Sequence, residues 1–113
     1  MAEGRKLRLR GKASAAIEAF NRALDLDDKN PDALAGRGFS YLELSDYAPA
    51  EASFQSALAT SPEHPDALMG LAETYRYEGR RPDAVTYYKK YLAAHPEGQD
   101  AVAARNAIEA LKE

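Results

Sequence analysis

The sequence predicts an all-α fold, a solenoid of antiparallel helix pairs closed by a terminal helix. Three observations predict it: a thirty-four-residue self-similarity, apolar stripes at helical spacing, and prolines confined to helix starts and turns. Sliding the chain by thirty-four residues aligns Ala16, Ala50 and Ala84, then Phe20, Phe54 and Tyr88, then Leu24, Leu58 and Leu92. Gly4 and Gly38 fall on Ala72, Leu7 falls on Tyr41 and Tyr75, and Ala23 and Ala57 fall on Tyr91. Asp32-Ala33-Leu34, Asp66-Ala67-Leu68 and Asp100-Ala101-Val102 also coincide.

The elements follow in order. Residues 1–30 read as a shortened first unit, 31–64 as a second, 65–98 as a third and 99–113 as a capping helix. In the first unit a short helix near Ala2 to Arg10 precedes one from Ala13 to Leu26, with Gly11 supplying the turn. In the second, Leu34, Gly38 and Tyr41 form one stripe ending near Leu44. After Ser45 and Asp46 a second stripe runs through Tyr47, Ala50, Phe54, Ala57 and Leu58. The third unit repeats the pair as Leu68 to Glu78 and Pro82 to Ala94, turning at Gly79. Small residues such as Gly38 and Ala72 let helices approach closely, and the large Tyr41 and Phe54 fill the space beside them. One pair cannot bury both of its faces, so neighbouring pairs must stack.

The junctions carry helix-start chemistry. Asn30 can cap, Pro31 suits the first helical position and Asp32 complements the positive helix end. His64-Pro65-Asp66 repeats the arrangement, and Gly98-Gln99-Asp100 repeats part of it. Pro49 and Pro82 fall in first turns, where a missing amide hydrogen costs little. In the last segment Ala101, Ala104, Ile108 and Leu111 share one side, while Asp100, Arg105, Asn106, Glu109 and Lys112 cover the other. That polar cover is what the end of a stack needs. The first unit has no apolar start to match Leu34 and Leu68, so the array is expected to continue before Met1.

Composition narrows the function. At 113 residues the chain is one domain and buries about two-thirds of its unfolded surface. The absence of cysteine excludes disulfides, thiolate metal sites and thiol catalysis, and fits a reducing compartment such as the cytoplasm. A net charge of -3 exerts no global pull on nucleic acid or anionic lipid. No apolar run approaches the ~20 residues that span a bilayer. Richness in alanine, arginine and glutamate points to a bacterial source.

Gly38, Tyr41, Ala50, Phe54, Ala57 and Pro62, then Leu71, Ala72, Tyr75, Ala84, Tyr88 and Pro96, make the chain resemble the tetratricopeptide repeat family over essentially its whole length. The departures are Leu34 and Leu68 in place of tryptophan, Arg37 in place of leucine, Asp28 in place of proline, and Tyr91 in place of a small residue. The resemblance implies a right-handed α-solenoid of about three units plus the capping helix. It also implies a concave groove, lined by first helices, that takes an extended peptide or helix of another protein. The implied groove residues are Asp32, Ala35, Phe39, Leu42 and Glu43 from the second unit and Asp66, Met69, Glu73, Arg76 and Tyr77 from the third. The first unit would add Arg5 and Arg8. Phe39, Leu42, Met69 and Tyr77 lie off the core stripes, and surplus apolar surface marks partner sites. The alternative is that Phe39 and Met69 complete the packing between units.

Relatives that clamp carboxylate tails use lysine, asparagine and arginine on the groove helices. The matching places here hold Ala35, Gly36, Phe39, Met69, Gly70 and Asp66, and Asp66 would repel a carboxylate. Chemistry of other kinds has no foothold, so no enzyme, cofactor, metal or small-molecule substrate is expected. His64 and His95 read as solvated junction residues without a partner ligand. Gly36-Arg37-Gly38 follows no strand, Asp25, Asp27 and Asp28 lack calcium-loop spacing, and Ser14, Ser40 and Ser53 have no base in reach. Arg5, Arg8 and Lys12 share a helical face that reads as a solvated surface; contact with an acidic partner, nucleic acid or membrane is the lesser reading. Self-association through the incomplete first unit is the other alternative to a groove-bound partner.

Overall fold

In the computed structural model, which describes residues 2–112 and the side chains of residues 10–112, six helices follow one another. They are α1 (Ala2–Leu26), α2 (Pro31–Glu43), α3 (Tyr47–Thr60), α4 (Pro65–Tyr77), α5 (Arg81–Ala94) and α6 (Ala101–Leu111). No strand occurs among the described residues. Each helix packs on the next, and α2 also touches α4, so the first helices of neighbouring pairs form a second row.

The interlock between pairs is an aromatic ring seated on glycine. Phe54 is completely buried, and a methyl group added to Gly38 would come within 2.7 Å of its ring. A methyl group on Gly70, one unit further on, would collide with the same ring. Phe54 is thus held between the first helix of its own pair and that of the next. Phe20 repeats half of this arrangement, lying against Gly36. The next place in the series is Ala104 on α6, which is fully buried, as are Ala50, Ala57, Ala72 and Ala84. The alternation of small and large residues is therefore the packing code of the stack.

Turns and caps follow the junction chemistry. Asn30 Oδ1 accepts the amides of Asp32 and Ala33 at 3.0 and 3.2 Å, starting α2 behind Pro31. At α4, His64 Nδ1 accepts the Ala67 amide at 3.2 Å, so this histidine is an N-cap and only a tenth of its side chain is exposed. Its Nε2 then donates to Asp32 Oδ1 at 2.7 Å. His95 Nε2 reaches the carbonyl of Glu63 and its ring lies 5.3 Å from that of Tyr91. Both histidines bridge back thirty-two residues to the preceding junction, which corrects their reading as solvated loop residues. Their cause is periodicity: successive junctions stack on one another and put the rings between them.

Gly79 turns α4 into α5 with φ of 78°, and Ser45 does the same one unit earlier with φ of 59°, a conformation that costs an L-residue free energy. The turn expected at Gly11 does not form. α1 runs unbroken through it. The segment before Gly11 offers only Leu7 and Leu9 as large apolar side chains besides Met1, too little to cover a returning helix. A glycine within a helix costs about 1 kcal/mol, less than nucleating a separate short helix. Arg10 then donates to the Leu44 carbonyl at the end of α2.

Arg37, where leucine was the commoner residue, donates through Nε to the buried Ser53 at 3.1 Å and through Nη1 to Asn21 at 2.9 Å. It pins α1, α2 and α3 together. Tyr91 is buried beside the capping segment, and its hydroxyl accepts the Asp100 amide at 2.9 Å just before α6. On α6, Ala107 joins Ala101, Ala104 and Ile108 in the core.

Phe54→Ala is expected to lower the unfolding free energy by about 3–5 kcal/mol in a urea titration, because the vacated space is walled by helix backbone. A midpoint close to wild type would show that the ring does not hold the pairs together. Ser45→Gly is expected to stabilise by about 0.5–1 kcal/mol, the left-handed cost less glycine's entropy. A destabilised variant would mean that the serine earns its place by its side chain.

Candidate functional site

The first helices and the turn after α2 enclose one depression on the surface. It is lined by Phe39, Leu42 and Glu43 of α2, by Ser45 in the turn, by Tyr47 at the start of α3, and by Glu73 and Tyr77 of α4. Its floor is apolar. Phe39 meets the buried Phe54 edge to face, with ring centroids 5.0 Å apart, so the same ring that locks the pairs also supports the pocket. Tyr47 and Tyr77 stack at 6.0 Å with planes 10° apart and form one wall. Tyr77 remains 63 % exposed and its outer face is open.

The rim carries negative charge. Glu43 is exposed, whereas Glu73 is half-buried and its carboxyl is pushed above the ordinary 4.5 by burial and then by Asp100, against a smaller opposing pull from Arg76. Among the described residues neither Glu43 nor Glu73 takes part in a salt bridge. Some carboxylates elsewhere are engaged: Glu51 and Asp83 both bind Arg80, at 3.2 and 2.9 Å, and Asp32 binds His64. Arg80 also lies 4.3 Å above the ring of Tyr75. That phenol is pushed up to about 12 by burial and by its hydrogen bond to Glu51. Arg76 lines a second, smaller depression with Glu73 and Tyr77.

The structure brings Phe39, Leu42, Glu43, Glu73 and Tyr77 together around one pocket and sets Arg76 beside it. It separates the other expected groove residues from them. Ala35 and Met69 are only 2 % and 5 % exposed and belong to the core, so they offer a partner no surface. The expectation for these two is corrected in favour of packing between units, because α2 and α4 touch directly. Asp32 and Asp66 sit exposed at helix starts, away from the pocket lining. Arg5 and Arg8 fall outside the described side chains. Tyr47 was expected on the core stripe; it is half-buried and faces the pocket. Its signal was present, since the equivalent places one unit away hold Ala13 and Arg81 and the tyrosine therefore serves no repeated packing role.

With this geometry in place, comparison with known proteins places the fold. A tetratricopeptide repeat family model matches residues 36–98, and a TPR repeat model matches residues 4–45. The chain belongs to the tetratricopeptide repeat family. Among solved structures, the first TPR of Spaghetti (RPAP3) bound to the HSP90 peptide SRMEEVD is similar at TM-score 0.81 and 24% identity, over 99% of this chain and 90% of that one. The Yersinia enterocolitica type III secretion chaperone SycD, in complex with a peptide of the translocator YopD, is similar at TM-score 0.84 and 18% identity, over 90% of this chain and 81% of that one. PcrH in complex with the chaperone binding region of PopD gives 0.83 and 21%, over 98% and 86%. No curated protein sequence matches significantly. Identities this low speak for the shared repeat fold, a stack of antiparallel helix pairs.

The raised Glu73 carboxyl has a definite consequence for stability. The folded chain keeps its proton to a higher pH than the unfolded chain does, so stability falls as pH rises from 4.5 through the folded value. Glu73→Gln is therefore expected to raise the melting temperature at neutral pH, with the gain vanishing below 4.5, where both states are protonated. A variant that melts lower at neutral pH would mean that ionised Glu73 is stabilising.

Proposed function

We propose that the chain binds a peptide or helix of another protein in the pocket between α2 and α4. The observation that carries this reading is the cluster of Phe39 and Leu42 on α2, Tyr47 at the start of α3 and Tyr77 on α4, four apolar or aromatic residues left partly open around one depression. Folding alone would bury them or replace them with polar residues, and accessible aromatic clusters with a polar rim are where binding energy concentrates. Relatives of the same fold that carry bound peptides support it, since RPAP3, SycD and PcrH are each seen with a segment of a second protein.

The acidic peptide SRMEEVD is not the occupant this pocket favours. A carboxylate tail would meet Glu43 and Glu73, and desolvating like charges together is costly. Apolar side chains would enter over Phe39 and Leu42 and exclude water from the tyrosine wall. Self-association remains the second reading from the sequence, but the pocket gives it no separate support.

Capture of partners from the native cell, followed by calorimetry with the purified partner, tests the proposal. Tyr77→Ala is expected to weaken binding by at least about ten-fold while leaving the helical spectrum and melting temperature nearly unchanged, because the ring is mostly exposed. Equal affinity for the two proteins would move the binding site off this pocket.

A further inference from the structure

We infer that the partner segment presents an arginine, flanked by an aliphatic or aromatic residue, and that this arginine seats against Tyr77 between Glu43 and Glu73. The inference rests on the pocket being the binding site and adds the chemistry of what enters it. Three features converge. Two carboxylates line the pocket, and none of the described residues lining it is basic. Neither carboxylate has an ion-pair partner among the described residues, although Arg80 satisfies two carboxylates on another face of the same chain. The stacked tyrosine pair closes one side while leaving an open ring face, the surface on which a planar guanidinium packs.

Arg80 shows the same chemistry already at work within the chain. Its guanidinium lies 4.3 Å over the Tyr75 ring while its nitrogens reach Glu51 and Asp83. The pocket offers the corresponding set, Tyr77 with Glu43 and Glu73, with no cation among its described lining residues. Two arginines lie nearby: Arg10 is spent on the Leu44 carbonyl, and Arg76 lines the neighbouring depression with Glu73 and Tyr77; neither forms a salt bridge with Glu43 or Glu73. Burial and then Asp100 push the Glu73 carboxyl up, and Arg76 offsets only part of that, so an added cation beside it would favour the charged form. An arginine meets both carboxylates through its fork of donors, whereas a lysine brings one compact, strongly hydrated charge. The flanking apolar residue covers Phe39 and Leu42, which a lone cation would leave wet.

A randomised peptide display library selected on the immobilised chain, in parallel with Tyr77→Ala, provides the probe. Winners are resynthesised with a fluorescent label and titrated by anisotropy at low and high salt. Peptides that depend on Tyr77 are expected to carry arginine beside an apolar residue. Their affinity should fall by about ten-fold or more with the Glu43→Gln/Glu73→Gln variant, and equally when the peptide arginine becomes alanine. Circular dichroism confirms that the variant is folded. Tyr77-dependent peptides without a basic residue, or with unaltered affinity for the double variant, would overturn the arginine while leaving the pocket as the site. No Tyr77-dependent peptide at all would overturn both. Sedimentation closes the remaining route: a wild-type dimer that the double variant dissolves would assign the arginine to a second copy's own basic segment and defeat the commitment to a different protein.

Discussion

The fold depends on one contact, the Phe54 ring held between Gly38 and Gly70. Two glycines bring helix backbones close enough to grip an aromatic ring from both sides, and close packing of this kind tolerates almost no change of volume. The contact joins a second helix to its own first helix and to the next one. It sets the spacing of α2 and α4 and therefore the width of what is built between these first helices. Phe20 against Gly36 extends the scheme toward the start of the chain, and Ala104 stands at the corresponding place on the closing helix.

The pocket is a consequence of that spacing. Phe39 rests edge-on against Phe54, so its outward surface becomes the pocket floor. The left-handed turn at Ser45 ends α2 and directs the chain into α3 with Tyr47 facing Tyr77. A strained residue and a non-repeated aromatic thus meet where the repeat departs from its own rule. Several polar side chains elsewhere serve the stack: Arg37 joins three helices, the junction histidines tie successive turns, and Arg80 gathers Glu51 and Asp83. Glu43 and Glu73 are distinguished by their place, two carboxylates lining the same depression as Phe39, Tyr47 and Tyr77.

Much of this was legible from residue types alone. The thirty-four-residue register of Ala50 with Ala84 and Phe54 with Tyr88 identified the helix pairs, because equivalent packing demands equivalent volume. Asn30 and the prolines marked helix starts through local chemistry that needs no tertiary partner. Phe39, Leu42 and Tyr77 stood out as apolar residues without a place in the stripes. Ala35 and Met69 could not be separated from them on the same grounds. Whether a residue beside a stripe is covered depends on how closely α2 approaches α4, and periodicity within one helix does not contain that distance. Gly11 was misread for a related reason: its place in the register matches Gly79, yet a turn forms only when the helix before it has enough apolar surface to return.

Sequence alone determined the architecture, since helix periodicity, capping and the alternation of small with large side chains are local or pairwise rules repeated at fixed spacing. Tertiary structure decided which side chains remained open, how the histidines bridged successive junctions, and where unpaired carboxylates met exposed aromatic rings. Those outcomes depend on distances between helices that are far apart along the chain, and such distances are set by the whole stack acting together.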